Sequence, residues 1–225
     1  MTTRSLAERF ADLQDERERT WPAAQLEKNA SQRRSLVERF DPTTRPGAGD
    51  RIQPFDLIDS EGRRVSSQEL LNDGPAVIVF FRFGGCPACN LALPYYNETL
   101  WPAVSAAGIP LLAVSAQIPV DTGPTERHGL EFPTYSDPEY ALGRQLGLTF
   151  LPDDQPAVNP GDNWIGATLG TNSYEITQPA VIVLNADHTI RFIDASPDWL
   201  VRTEAPVVLE HLPETRTKRH ESRAA

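Results

Sequence analysis

Ala76 to Phe81 reads AVIVFF, a run of apolar, β-branched and aromatic residues with no polar interruption. A strand with one face in water alternates apolar and polar side chains, so an unbroken run belongs to a strand covered on both faces. It is far shorter than the ~20 residues that cross a bilayer. Asn90 to Ala107 has helical character, and Pro110 to Ala116 (PLLAVSA) is a second unbroken run. Strand, helix, strand in that order predicts a right-handed parallel crossover. Ala180 to Leu184 (AVIVL) and Thr189 to Asp194 read as further strands, joined into an antiparallel hairpin by Asn185-Ala186-Asp187-His188. The class is therefore α/β, a central mixed sheet flanked by helices.

Upstream, Leu6, Phe10 and Leu13, then more loosely Leu26, Ala30, Val37 and Phe40, recur at helical spacing. Trp21-Pro22 separates the two runs, because the residue before proline is pushed out of the helical region. A helical extension is expected over residues 1–45, packed on the main domain or on a second copy of the chain in a homodimer. DPTTRPGAGD, residues 41 to 50, marks the boundary, and 46–213 forms the main domain. It opens with a β-ribbon at Phe55 to Ile58 and Val65, turning at Ser60-Glu61-Gly62, and a short helix from about Ser66 to Leu71. Pro138 to Leu146 and Glu204 to Leu212 are predicted helices. Phe150 to Gln178 shows no clear element and exceeds the ~12–15 residues of ordinary loops. It reads as a cover over a site, with Trp164 and Tyr174 as lid or anchor, or it hides a strand. Residues 214–225 carry Arg216, Lys218, Arg219 and Arg223 without apolar periodicity and read as a flexible, solvated tail.

Hydrophobic residues at 40% against 23% charged describe a soluble globular chain rather than a disordered one. A formal net charge of -10 disfavours a phosphate backbone or an anionic membrane, so neither nucleic acid nor membrane is expected as a partner. The opening stretch, MTTRSLAERFADLQDERERT, is charged throughout and lacks the apolar core of a secretory signal, which makes the cytoplasm the expected compartment.

Both cysteines of the chain, Cys86 and Cys89, fall within FFRFGGCPACN, residues 80 to 90. The strand ends near Phe81, Gly84-Gly85 turns the chain, and a helix begins after Cys86. Unpaired amides and the helix dipole favour a thiolate there, lowering a thiol pKa from ~8.5 into the range ~3.5–7.5. Pro87 suits the first helical position, where an N–H has no partner anyway. Cys89 follows at i+3, where Cβ atoms lie ~5–6 Å apart, a small adjustment from disulfide geometry. Cys86 is thus the expected nucleophile and Cys89 the more buried resolving thiol, attacking a mixed disulfide or sulfenic acid on Cys86. A structural disulfide would close only a tiny loop in a chain expected in a reducing compartment. A metal site lacks further ligands, since His128, His188, His211 and His220 form no zinc pattern with the pair. Redox chemistry without metal or cofactor is the reading that fits best.

CPAC after a buried strand, with Pro94 inside the following helix, resembles the thioredoxin fold, in which a kinked helix carries the redox pair. Gln178-Pro179-Ala180-Val181-Ile182 is similar to the segment that sets a cis-proline against those cysteines. On that resemblance Pro179 is a site residue, with Gln178 beside it as support. GDRIQPFDLIDSEGR, CPAC, EFPTYSDPEYALGRQLGL and QPAVIVLNADHTIRF, behind a helical extension, resemble the peroxiredoxin-like branch of the alkyl hydroperoxide reductase and thiol-specific antioxidant (AhpC/TSA) family over roughly residues 50 to 212. The resemblance implies a thioredoxin-like fold and a thiol-disulfide oxidoreductase that reduces disulfides or peroxides. An external thiol reductant, thioredoxin-like or of low molecular weight, would reset it. The alternatives are a hydroperoxide peroxidase proper, with an antioxidant role, and a non-catalytic thioredoxin-fold binding protein. Two positions depart from the family pattern: Phe83 stands where a threonine precedes the peroxide-attacking cysteine, and Pro179 aligns with an arginine before the late strand. Both family groups polarise the peroxide. Arg82 is the candidate for partial replacement, and Trp164 on the long loop is a further candidate for support.

Overall fold

Side chains of a strand alternate between its faces, so Val77, Val79 and Phe81 turn one way and Ala76, Ile78 and Phe80 the other. In the computed structural model, which describes residues 3–71, 74–119, 123–152 and 164–213, all six are buried. The first set packs with Leu6, Phe10, Cys86, Cys89, Leu93 and Tyr96, the second with Phe55, Leu112, Val114, Leu142 and Leu146. Two cores, one on each face of the sheet, are why this strand has no polar side chain.

In chain order the strands are β1 (Asp56–Ile58), β2 (Arg64–Ser66), β3 (Ala76–Phe80), β4 (Leu111–Ser115), β5 (Thr134–Ser136), β6 (Thr149–Phe150), β7 (Ile176–Thr177), β8 (Ala180–Leu184) and β9 (Ile190–Ala195). Seven form a mixed sheet in the order β2-β1-β5-β4-β3-β8-β9, while β6 and β7 pair separately. β3 lies parallel to β4, with Val77 opposite Leu111, and antiparallel to β8, with Phe80 opposite Ala180. The predicted crossover and the β8–β9 hairpin are both present. The central mixed sheet is flanked by helices in the thioredoxin-like manner.

The N-terminal hairpin consists of α1 (Leu6–Thr20) and α2 (Ala23–Glu38). A capping box starts α1: the Ser5 hydroxyl accepts the Glu8 amide and the Glu8 carboxylate accepts the Ser5 amide. Its stripe is buried within the chain itself, Leu6 and Phe10 lying in the same core as the cysteines. After α3 (Ser67–Leu71), the helix expected over 90–107 is two, α4 (Pro87–Thr99) and α5 (Trp101–Ala106). Pro102 has no N–H to continue the first helix and sits at the start of the second, so the chain breaks at Leu100.

Sequence reading missed α6 (Pro124–His128) and the three-residue β5, which inserts between β1 and β4. The helix α7 (Ala141–Gln145) is shorter than the predicted 138–146, because Tyr140 before it takes a left-handed conformation with φ 58°. The stretch from Phe150 to Gln178 is not devoid of structure: it holds the end of β6, α8 (Ile165–Leu169) and β7. Residues 153–163, the middle of the expected cover, and the expected tail 214–225 lie outside the described residues. The chain of described elements closes with α9 (Ala205–Glu210). No helix among the described residues is long and apolar enough to cross a membrane.

Candidate active site

The turn after β3 delivers both thiols to the start of α4. Cys86 is the N-cap, with φ -76° and ψ 116°, and Pro87 begins the helix. Gly84 donates its amide to the Gln117 side chain at 2.8 Å, and Arg127 donates to the Gly84 carbonyl at 2.7 Å, which pins the turn. At Gly85 a Cβ would come within 3.2 Å of the Phe83 ring, so glycine lets that ring fold over the turn. Pro94 lies inside α4 as the resemblance implied.

Cys86 is 3% exposed and Cys89 is fully buried, so Cys86 is the outer thiol of the pair. The hydrogen-bond donors, however, converge on Cys89. Its sulfur accepts the Arg82 amide at 3.4 Å and the Arg202 guanidinium at 3.3 Å. Burial pushes the Cys89 thiol up, but the Cys86 S–H, Arg202 and the Arg82 amide together hold it well below the ordinary range. Cys86 is pushed the other way, first by its hydrogen bond to the Cys89 sulfur and then by burial. The donors thus favour charge on the Cys89 sulfur, where the sequence reading expected it on Cys86. A helix N-terminus offers partial charge, whereas Cys89 has a full guanidinium and two further donors in a buried setting.

Arg202 was not found from the sequence, because its partner is distant along the chain and the loop bearing it has no periodic pattern. The site holds it firmly. Its Nε donates to the Trp199 carbonyl at 3.0 Å, and the Phe10 ring lies 5.6 Å from its guanidinium carbon. Next to it, the Thr203 carbonyl accepts the Tyr96 hydroxyl at 2.8 Å and the Thr203 hydroxyl donates to Asp194 at 2.8 Å. Cys89, Leu93 and Tyr96 occupy successive turns of one face of α4, so the helix that carries the thiol also anchors the arginine's loop. Arg17 was also missed, although its signal was present: it continues the stripe Leu6, Phe10, Leu13 by one more turn, and it is 5% exposed.

Of the predicted support residues, Arg82 is at the pair, its guanidinium 4.3 Å from the centroid of Trp199. Trp164 caps the helix α8 and packs within its own segment. Its ring lies 4.6 Å from Tyr174 and occupies the space a Cβ on Gly166 would need. Gln178 is buried, donates its amide to the Leu148 carbonyl at 2.7 Å, and has no partner for Oε1. Pro179 precedes Ala180, which pairs with Phe80, so it sits at the strand end where the dithiol turn departs. Its peptide bond is trans, against the expected cis, and its carbonyl accepts the Ser196 amide at 2.7 Å. That bond ties the trans segment into the ladder with β9. Among the described residues no cluster could hold a metal ion; His128 pairs with Asn90 and His188 with Ser67.

The sequence profile of the AhpC/TSA family matches residues 48–193. The chain belongs to the AhpC/TSA family. It is thus a thiol-dependent oxidoreductase of the peroxiredoxin-like kind. A comparison with the curated proteins finds no match. Among solved structures the fold is similar to the peroxidoxin BcpB from Mycobacterium tuberculosis, with TM-score 0.56 and 18% identity over 74% of this chain and 96% of that one. It is also similar to a mutant of Peroxiredoxin 6 of Arenicola marina, with TM-score 0.56 and 16% identity over 72% of this chain and 70% of that one. The thiol peroxidase from Chromobacterium violaceum aligns with TM-score 0.55 and 15% identity over 73% and 85% of the two chains. Likenesses at these identities establish the fold. Within the AhpC/TSA frame, α1 and Arg202 lie outside the matched segment, yet both supply groups to the dithiol.

Proposed function

We propose that this AhpC/TSA chain is a dithiol reductase in which Cys86 attacks an oxidised substrate and Cys89 resolves the product as an intramolecular disulfide. The observation that carries it is the convergence of the Arg202 guanidinium and the Arg82 amide on the buried Cys89 sulfur, one helical turn from the outer thiol Cys86 at the helix N-cap. The Cys89 thiolate takes the Cys86 proton as the outer sulfur attacks one sulfur of a substrate disulfide, and the first thiolate of the substrate leaves. Cys89 then passes that proton to the departed substrate thiolate and attacks Cys86 in the mixed disulfide, releasing the second substrate sulfur as a thiolate. Two protein thiols and one substrate disulfide become one protein disulfide and two substrate thiols. An external thiol donor, thioredoxin-like or small, reverses the protein oxidation in the cytoplasm. Residues 46–213 constitute the catalytic domain, and the extension 1–45 completes its site.

A second reading, hydroperoxide reduction, is favoured by the family and by the cations around the pair. There Cys86 displaces an alcohol or water to become a sulfenic acid, and Cys89 expels water on closing the disulfide. Phe83 and Pro179 supply neither the hydroxyl nor the guanidinium that the resemblance calls for, which places the disulfide reading first.

Stopped-flow oxidation of the reduced protein by a small disulfide, hydrogen peroxide and an organic hydroperoxide tests both. Cys89→Ser is expected to accumulate a mixed disulfide on Cys86, visible by mass spectrometry, and Cys86→Ser to react with none of the three. A Cys86→Ser protein that still turns over would reject the assignment of the nucleophile. Fast peroxide consumption with no disulfide reaction would put the second reading first.

A further inference from the structure

Arg82 from just beyond β3 donates its amide, and Arg202 from the segment between β9 and α9 its guanidinium, to the Cys89 sulfur, while Arg17, buried in the last turn of α1, lies within electrostatic range of Cys86. Arg17 is close enough to interact with Cys86 and Arg82, and Arg82 and Arg202 interact with both thiols and with each other. Arginine does not lose its proton in a protein, so three positive charges lie together in the interior. Among the described residues none of the three forms an ion pair with a carboxylate. Asp198 is held by Arg33 through two bonds of 2.7 Å, Glu204 receives the Tyr95 hydroxyl, Asp194 receives Thr203, and Glu16 beside Arg17 is exposed. The rings of Trp21, Trp199 and Phe10 offset part of the charge. Yet Nε and Nη1 of Arg17 and Nε of Arg82 are buried without an acceptor among the described residues. A buried charged donor without a partner is among the costlier features a fold can retain.

One thiolate shared by the pair does not balance three cations, and a closed disulfide supplies no anion at all. We propose that Arg17, Arg82 and Arg202 form an anion subsite beside Cys86, and that the oxidised substrate of the dithiol is a small disulfide bearing a carboxylate. The inference rests on the dithiol-reductase reading and adds the charge of its substrate. A carboxylate matches the fork of a guanidinium, and binding it beside Cys86 would hold the scissile bond against the outer sulfur. Arg17 lies before the family-matched segment, so the subsite is partly built by this chain's own extension.

The test compares dithiodipropionate, a dianionic disulfide, with neutral hydroxyethyl disulfide on the wild type and on Arg17→Met. Methionine keeps the apolar stem and removes a charge that lacks acceptors, so the variant is expected to fold, checked by its thermal melt. The wild type should prefer the dianion in kcat/KM, and Arg17→Met should narrow that preference ~10-fold, the usual loss for one charge-assisted bond. In parallel, the oxidised wild type is titrated with thiodipropionate, a redox-inert dianion, and with neutral thiodiglycol, following the fluorescence of the tryptophans that include Trp21 and Trp199. Only the dianion should produce a saturable change. Equal reduction of both disulfides with no response to thiodipropionate would overturn the subsite and leave the dithiol reading standing. A saturable response without turnover of either disulfide would sustain the subsite and reject the dithiol reading. Arg17→Met slowing both disulfides equally would make Arg17 a packing residue and overturn its place in the subsite.

Discussion

The two cysteines differ by their donors more than by their depth. Because Cys89 is held well below the ordinary thiol range, the folded protein binds fewer protons than the unfolded chain as pH rises toward that range. Stability of the reduced form therefore increases with pH through this window and is lost again as pH falls through the folded-state ionisation. Cys86 is shifted upward, so above that range the folded state holds the extra proton and the sign reverses. Urea midpoints of the reduced protein should rise as pH approaches the ordinary thiol range and then decline above it, and Arg202→Met should flatten the rise. A flat profile in the wild type would contradict a thiolate held on Cys89. From sequence, the pair itself was legible because its chemistry is local: strand, glycine turn, thiol, proline, helix. The donors were not, since Arg202 meets Cys89 across more than a hundred residues and an isolated arginine in a polar-flanked segment gives no local sign.

At the scale of elements, α1 ties the extension to the redox helix. Phe10 is 3% exposed, shares a core with both cysteines and lies beneath the Arg202 guanidinium. Phe10→Ala is expected to cost about 3–5 kcal/mol of unfolding free energy, since it opens a cavity between packed elements. It should also weaken the pH dependence of stability, because the cover over Arg202 is lost. Denaturant unfolding of the variant checks the first effect, and a loss within experimental error of zero would show that α1 is not part of the core. The periodic strands β3, β4, β8 and β9 and the two long N-terminal helices were readable, as each buries enough side chains to impose a pattern. β5 was not: Thr134, Tyr135 and Ser136 carry no strong alternation, and their place is set by the edges of β1 and β4 on either side. The break at Leu100 was written in Pro102 but masked by the continuous helical character around it. Gly166, which makes room for the Trp164 ring, shows why that aromatic suggested a lid while packing against its own loop.

For the whole molecule, the balance between buried arginines and thiolate sets which redox form is the more stable. Closing Cys86 to Cys89 joins residues three positions apart, and so short a loop constrains the unfolded chain by only about 2 kcal/mol. Oxidation also removes the charge that the Arg202 guanidinium and the Arg82 amide favour on Cys89, and a buried cation stripped of its partner costs about 3–5 kcal/mol. The second effect is the larger, so the reduced protein should melt above the oxidised one, the reverse of the usual order for a disulfide. Folding and oxidation form a closed cycle, so the same difference raises the reduction potential by about 30 mV for every ~1.4 kcal/mol. Calorimetry of the two forms, with equilibration in glutathione buffers, measures both sides of that cycle. Arg202→Met should bring the melting temperatures together and lower the potential in step. If the oxidised protein melts higher and Arg202→Met leaves the potential unmoved, the arginines do not act on the redox equilibrium. A pair biased toward its reduced form in this way would take up electrons from its thiol donor readily and rely on a well-held substrate for their onward transfer.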